Sequence, residues 1–363
     1  MLVQLKAICE QILHRPLAAD DDLFAAGLNV NRALNIVRLF WLESGVELDV
    51  NTFIERRSLA AIAAMLAEGR TGPDGKAILL RAGEGTPLFA YAGGVSVFLE
   101  IRELIQSLDY CGPVYGLRLT PFERSPNEAA TVDDEVRESV ATVKSIQPEG
   151  PYRLLGYSFG GVLALEVARA LEAGGDEVAF CGMIDTPQND HVWPFRLWAD
   201  LMVRRGVRRL KLACRRLVDP QSRSPVAVAS CAAVPQDALA RLSRPGRGRP
   251  ALFRFRSPRH PEYPYFAPQW SGGNTPVYTQ RACELLRLKG LFRPSVYGGR
   301  VAFFVAAQGS PVDCDPHAVW QPYLPNAEWV RMKGNHLSIV VGRNARLLAG
   351  EISRRLSAGQ AAP

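Results

Sequence analysis

The sequence predicts a doubly wound α/β sheet with a helical lid, preceded by a small all-α bundle. Three observations carry this expectation. Short apolar runs alternate with amphipathic helical stretches from residue 77 onward. Helical patterning fills residues 1–70, and the alternation lapses from 186 to 300 before strand signals resume. Strands buried on both faces read as short continuous apolar runs, because helices cover the sheet above and below.

At 363 residues the chain is long enough for one large domain and one small one. Its 47% hydrophobic and 22% charged residues are those of an ordinary globular protein and exclude the disordered and fibrous classes. The N-terminal "MLVQLKAICEQILHR" lacks the unbroken apolar core of a signal peptide, and no apolar run approaches the ~18 residues of a membrane span. Seven cysteines (9, 111, 181, 214, 231, 283 and 314) are scattered without a CxxC pair, which argues against a disulfide framework and a zinc site. The expectation is a cytoplasmic protein without membrane or nucleic-acid partners.

The elements follow in chain order. "LVQLKAICEQIL", a stripe of Leu34, Val37 and Trp41, and "SLAAIAAMLAEG" closing on Gly69 read as helices of the first domain, 1–70. "RTGPDGK" is polar and rich in turn formers, so 71–84 reads as a linker and the start of the next domain. Within the second domain, 85–363, the strand candidates are 87–92, 113–119, 152–157, 178–184, 300–307 and 327–332. "VFLEIRELIQSL", "TVDDEVRESVATVKSIQ" and "GGVLALEVARALEAG" read as the helices between them, and "LSIVVGRNARLLAGEISRRL" as the last helix. The excursion at about 186–300 is placed to form a lid over the carboxyl ends of the strands, where ligands bind in such sheets. It holds 21 Lys and Arg against 6 Asp and Glu, about +15, leaving about −8 for the remainder. Such a block suits an anionic partner or a solvated arginine-rich face.

The chemistry centres on "LLGYSFGGVL". Ser158 lies in Gly156-Tyr-Ser-Phe-Gly160 between an apolar strand and a helix, the context of the nucleophile elbow of α/β hydrolases. The turn is so sharp that the residues two before and two after the serine must lack side chains. A serine nucleophile needs a base and an orienting acid. Of His14, His191, His260, His317 and His336, the last follows the final strand, where the order Ser…Asp…His puts the base. His317 follows Asp315-Pro316, a pairing that reads as a helix cap and first helical residue. Capping likewise explains the Asp313/Asp315/His317 cluster better than a metal does. For the acid, Asp185 at the end of one strand competes with Asp313 and Asp315 after a later one, and spacing does not choose. The oxyanion hole needs backbone N–H groups: Phe159 after the serine, and Gly94, with Val95 next, in "AYAGGVS".

"GPYRLLGYSFGGVLALEVARALEAGGDEVAFCGMIDT", with "VYGGRVAFFVA" and "GNHLSIV", resembles the type I thioesterase domains of nonribosomal peptide and polyketide synthetases over roughly 85–363. The resemblance implies Asp185 as the acid. It also implies an acyl-serine on Ser158 that takes its chain from a phosphopantetheine thioester on a carrier domain, released by hydrolysis or cyclisation. Residues 1–70 resemble an acyl or peptidyl carrier domain, whose [D]-x-F-x-x-x-G-x-[DHN]-S turn presents the serine that bears phosphopantetheine. "DDLFAAGLNV" follows that pattern up to Asn29, and then Val30 stands at the serine position. The nearest hydroxyl is Ser44, at the far end of the next helix. The unit therefore reads as a carrier-like module that holds no cofactor of its own. It is either a docking module beside a loaded carrier or a relic.

Other readings differ in class: a proofreading thioesterase clearing stalled acyl groups, a carboxylesterase or lipase, and a non-catalytic scaffold. The carrier-like unit disfavours the esterase, and the set of Ser, His and Asp disfavours the scaffold. Because carrier domains are acidic, reversing Arg204, Arg205, Arg208 and Arg209 should slow transfer from an acyl carrier far more than hydrolysis of a small acyl thioester. Comparing both rates checks this, and equal effects would remove the steering role.

Overall fold

Residues 1–94, 96–119, 131–188, 193–218, 292–308 and 315–358 are described by the computed structural model, together with single residues between 275 and 289. Val95, His191, His260, Asp313 and most of the lid lie outside the described residues.

The first helices form where caps and apolar spacing agree. They are α1 (Leu2–Leu13), α2 (Val30–Ser44), α3 (Thr52–Glu55) and α4 (Leu59–Ala67). Asn29 caps α2, its side-chain oxygen accepting from Arg32 N at 3.0 Å, and Ser58 caps α4 in the same way. Gly45 ends α2 with a left-handed φ of 72°. The stripe that α2 buries is Ala33, Ile36, Val37 and Phe40. Leu34 and Trp41, expected on it, flank it half-buried, because the i, i+3, i+4, i+7 spacing runs from Ala33 to Phe40. These side chains join Leu5, Ile8, Phe53 and Ile62 in a shared apolar cluster.

The sheet comprises β1 (Ala77–Arg81), β2 (Leu88–Tyr91), β3 (Val114–Leu117), β4 (Tyr152–Tyr157), β5 (Val178–Ile184), β6 (Val301–Ala306) and β7 (Ala327–Met332). Its order is β1-β3-β2-β4-β5-β6-β7. All neighbours are parallel except β1, which pairs antiparallel with β3. The six expected strands occur at nearly the expected bounds. β1 was not separated from the linker, because "AILLR" is an edge strand with an alternating, half-exposed face.

Helices cover both faces. On one lie α6 (Val132–Ile146), α7 (Phe159–Ala173) and α9 (Pro316–Trp320), around Val143, Leu163, Phe303 and Trp320. On the other lie α5 (Arg102–Ser107) and α10 (Gly342–Ala358), around Phe98, Ile105, Phe180 and Ile352. α8 (Phe195–Val218) follows β5 as the start of the lid region. "VFLEIRELIQSL" is not one helix. A 3-10 turn at Phe98–Glu100 precedes α5, and the turn at Ser338–Val340 likewise precedes α10, so the last helix begins later than expected.

The chain runs from β2 outward to β3 and returns past β2 to β4, so connections leave on opposite sides of the β2/β4 pair. Their carboxyl ends therefore flank the crevice where such sheets bind ligands. The β2 loop and Ser158 meet there. Trp320 is fully buried against Phe303, and its indole N–H donates to Thr186 O at 2.9 Å. Trp320→Ala should lower stability by about 3–5 kcal/mol, read as an earlier midpoint in chemical denaturation.

Candidate active site

β4 delivers Ser158 and α7 starts at the next residue, so the chain must reverse within one position. Ser158 sits at φ 56°, ψ −129°, a strained conformation for a residue with a side chain. Two anchors hold it: its N–H donates to Ile184 O at 2.9 Å, and its carbonyl accepts from Gly161 N at 3.0 Å. A Cβ on Gly156 would lie 2.2 Å from Gly160 O, and one on Gly160 would lie 2.5 Å from Ala92 O. Both glycines are required by contact, as the spacing implied.

Asp185 ends β5 with the same device. Its φ is 41°, and its N–H donates to Phe304 O at 2.7 Å. The carboxylate then turns back across the sheet edge. Oδ1 accepts from Ala306 N at 3.1 Å, and Oδ2 lies 2.7 Å from His336 Nδ1. His336 Nε2 is 3.0 Å from Ser158 Oγ. An ionised carboxylate only accepts, so Nδ1 carries the hydrogen that faces Asp185 and Nε2 is left to take the serine's proton. Asp185 and His336 are 1% and 2% exposed, which keeps water from competing for this chain of bonds.

His336 is positioned by a loop rather than a helix. Asn335 Oδ1 accepts from Leu337 N and Ser338 N, and Asn335 N donates to Ser338 Oγ. Tyr157, the residue before Ser158, donates its hydroxyl to His336 O at 2.7 Å and stacks its ring 5.1 Å from the imidazole. Burial, then Glu100 and Asp185, push that hydroxyl far up, so it stays a donor. The sequence reading missed Tyr157, which occupies the variable position of the motif.

Of the two routes left open for the acid, the structure brings Asp185 to His336. Asp315 instead caps α9, its Oδ1 accepting from His317 N at 3.1 Å, and His317 meets Trp329 edge-on at 4.5 Å. His14 caps α1, distant in sequence from all three. Phe159 is the first residue of α7, so its N–H has no acceptor within the helix. Gly94, φ 49°, lies in a turn closed by Ser96 N donating to Gly93 O at 3.1 Å. A Cβ on Gly93 would lie 3.1 Å from Ser158 Cβ, so this turn packs directly on the serine. At the other end of the chain, Val30 is the first residue of α2, behind its Asn29 cap. An isopropyl group offers no oxygen for a phosphodiester, so the residues there do not fit phosphopantetheine.

Residues 88–227 match the family model described as "Thioesterase domain". The match spans less than half of the chain, and it is to that family that this stretch is similar. The mostly parallel seven-stranded sheet and the strand–turn–helix at Ser158 fit the α/β-hydrolase fold expected from the sequence. Over 107 residues the chain is 44% identical to atromentin synthetase invA5 of Paxillus involutus, covering 30% of this chain and 11% of that one. The chain spans 2–19% of the length of such relatives. Among solved structures, the NocB thioesterase domain, in covalent complex with a fluorophosphonate nocardicin G analog, matches 78% of this chain and all of its own. Its TM-score is 0.52 at 21% identity. AB3403, a four-domain nonribosomal peptide synthetase, matches 97% of this chain and 26% of its own, with TM-score 0.54 at 19% identity. At these identities the likeness is one of fold.

The site also holds a second acid beside the serine. The Cβ position on Gly93 is 3.1 Å from Glu100 Oε2 as well, so that oxygen and Ser158 Cβ are no more than twice this distance apart. The sequence signal was an acid inside the apolar run "VFLEI". Glu100 is half-buried in the site, and burial pushes its carboxyl from an ordinary 4.5 up to about 8. The folded protein then keeps this proton while the unfolded chain sheds it, so stability falls as pH rises from about 4.5 to about 8. Glu100→Gln cannot ionise. Its melting temperature relative to the parent should be higher at pH 8 than at pH 5, and an equal difference at both would contradict this.

Proposed function

We propose that the chain releases an acyl or peptidyl group from a phosphopantetheine thioester on a carrier domain through an ester on Ser158. The observation that carries this is the unbroken line Asp185–His336–Ser158, with contacts of 2.7 and 3.0 Å at the carboxyl edge of the sheet. His336 Nε2 takes the proton as Ser158 Oγ attacks the thioester carbonyl. The tetrahedral oxyanion is held by the N–H groups of Phe159 and Gly94, near the positive end of α7. Collapse expels the pantetheine thiolate, which the imidazolium protonates. A water, or a nucleophile on the bound acyl group, then gives up its proton to His336 and attacks the ester; the bond from the acyl carbon to Ser158 Oγ breaks, and the imidazolium returns the proton to Oγ. Asp185 stays ionised and stabilises the imidazolium in both half-reactions. A thiolate leaves readily, so base and oxyanion stabilisation suffice.

Similarity to nonribosomal peptide synthetases supports a carrier domain as the source of the acyl group. The lid basicity is consistent with a phosphate-bearing, acidic partner, although Arg204 is engaged with Asp200 at 2.5 Å. The side chains of Arg205, Arg208 and Arg209 lie outside the described residues.

The test is covalent. A fluorophosphonate should label Ser158 in the parent and not in Ser158→Ala. Intact-mass measurement after incubation with acyl-pantetheine thioesters should show an acyl adduct that Ser158→Ala lacks. Asp185→Asn should lower kcat by roughly 10⁴-fold, as loss of the orienting acid does in serine triads. Labelling that persists in Ser158→Ala would refute the assignment.

A further inference from the structure

The turn that carries Gly94 is held not only against Ser158 but also by residues of the N-terminal helical unit. Asn51 is 1% exposed, and both ends of its amide are used on this turn. Nδ2 donates to Ser96 O at 2.9 Å, and Oδ1 accepts from Phe98 N at 3.0 Å. Between them the backbone is bent: Ser96 has φ 60°, unusual for a residue with a side chain, and its Oγ accepts from Leu119 N at 3.0 Å. Val97 and Leu99 point the other way, into the apolar cluster of the N-terminal helices, where both are buried.

Neighbouring contacts repeat the attachment. Asp49 pairs with Arg281 at 2.9 Å and with Arg118 at 3.6 Å. The Arg102 guanidinium sits 3.8 Å from the centre of the Phe24 ring. A unit that swung away to visit other partners would expose Val97 and Leu99 and strip two buried hydrogen bonds from the turn.

We infer that residues 1–70 act in cis as a fixed part of the active site, with Asn51 the positioning residue that holds the Gly93–Ser96 turn, and so the Gly94 N–H, against Ser158. This deepens, and rests on, the acyl-serine reading above. It also gives a use to a helical unit whose Val30 cannot be loaded. An oxyanion donor acts only where the tetrahedral oxygen will be, so release of the turn weakens transition-state binding more than substrate binding.

The test uses the full chain, a small acyl-N-acetylcysteamine thioester as substrate, and fluorophosphonate titration of Ser158 to count active sites. For Asn51→Ala, kcat per titrated site should fall at least about tenfold with KM within about twofold. A 1 Å misplacement near reacting groups is worth about 10²-fold. The labelling rate should slow in parallel, because the phosphoryl oxygen occupies the same hole. Asn51→Asp, which keeps the acceptor for Phe98 N–H and loses the donor, should lie between. A merely structural role would lower the melting temperature and the titrated fraction while leaving kcat per site unchanged, and that result overturns the inference. Should Asn51→Ala not fold, Asn51→Asp decides: a loss of about threefold or more supports the clamp, and a parental rate overturns it. A parent protein that is not labelled at all would overturn the acyl-serine reading and this one together, whereas a labelled, parent-like Asn51 variant removes this one alone.

Discussion

The carboxylate of Asp185 carries the constraint on which the site depends. Its backbone is bent into the left-handed region by the hydrogen bond to Phe304 O, and one side-chain oxygen is fixed on Ala306 N. That leaves a single oxygen, in a water-poor place, to meet His336. A loop histidine could adopt many orientations. Here the carboxylate sets both its ring plane and its tautomer, and Tyr157 holds its backbone from below. Both strained residues, 158 and 185, end adjacent parallel strands, so the β4–β5 register itself sets the serine opposite its acid. The strain is carried by a sheet buried on both faces, which over-determines the conformation.

Much of this was legible in the sequence, and the limits have physical causes. Strands buried on both faces announce themselves as apolar runs, so 152–157 and 178–184 were bounded to the residue, whereas the half-exposed edge strand at 77–81 merged with the linker. The elbow was readable because glycine is demanded there by close approach. The acid was not, since a carboxylate's partner 151 residues away depends on which strands become neighbours. Glu100 and Asn51 escaped for related reasons. Each looks like an ordinary polar residue until folding brings it to the β2 loop, one from the serine side and the other from the helical side.

The helical unit adds a question of sign. Its caps and apolar stripe are complete, with Val30 first in α2 behind the Asn29 cap. It is tied to the sheet by Asn51 on the β2 loop, by Asp49 against Arg118 after β3, and by the Phe24 ring beneath Arg102 of α5. Val30 itself packs, half-buried, against the helical cluster, so an apolar side chain there serves the same core.

Three successive side chains of the β2 loop are divided between two cores. Val97 and Leu99 belong to the helical cluster, and Phe98 to the face of the sheet beneath α5 and α10. A staggered allocation of this kind acts as a zip. Neither cluster can loosen without pulling a neighbour's anchor from the other, so the bundle and the sheet share one cooperative unit of unfolding across what the primary structure marks as a boundary.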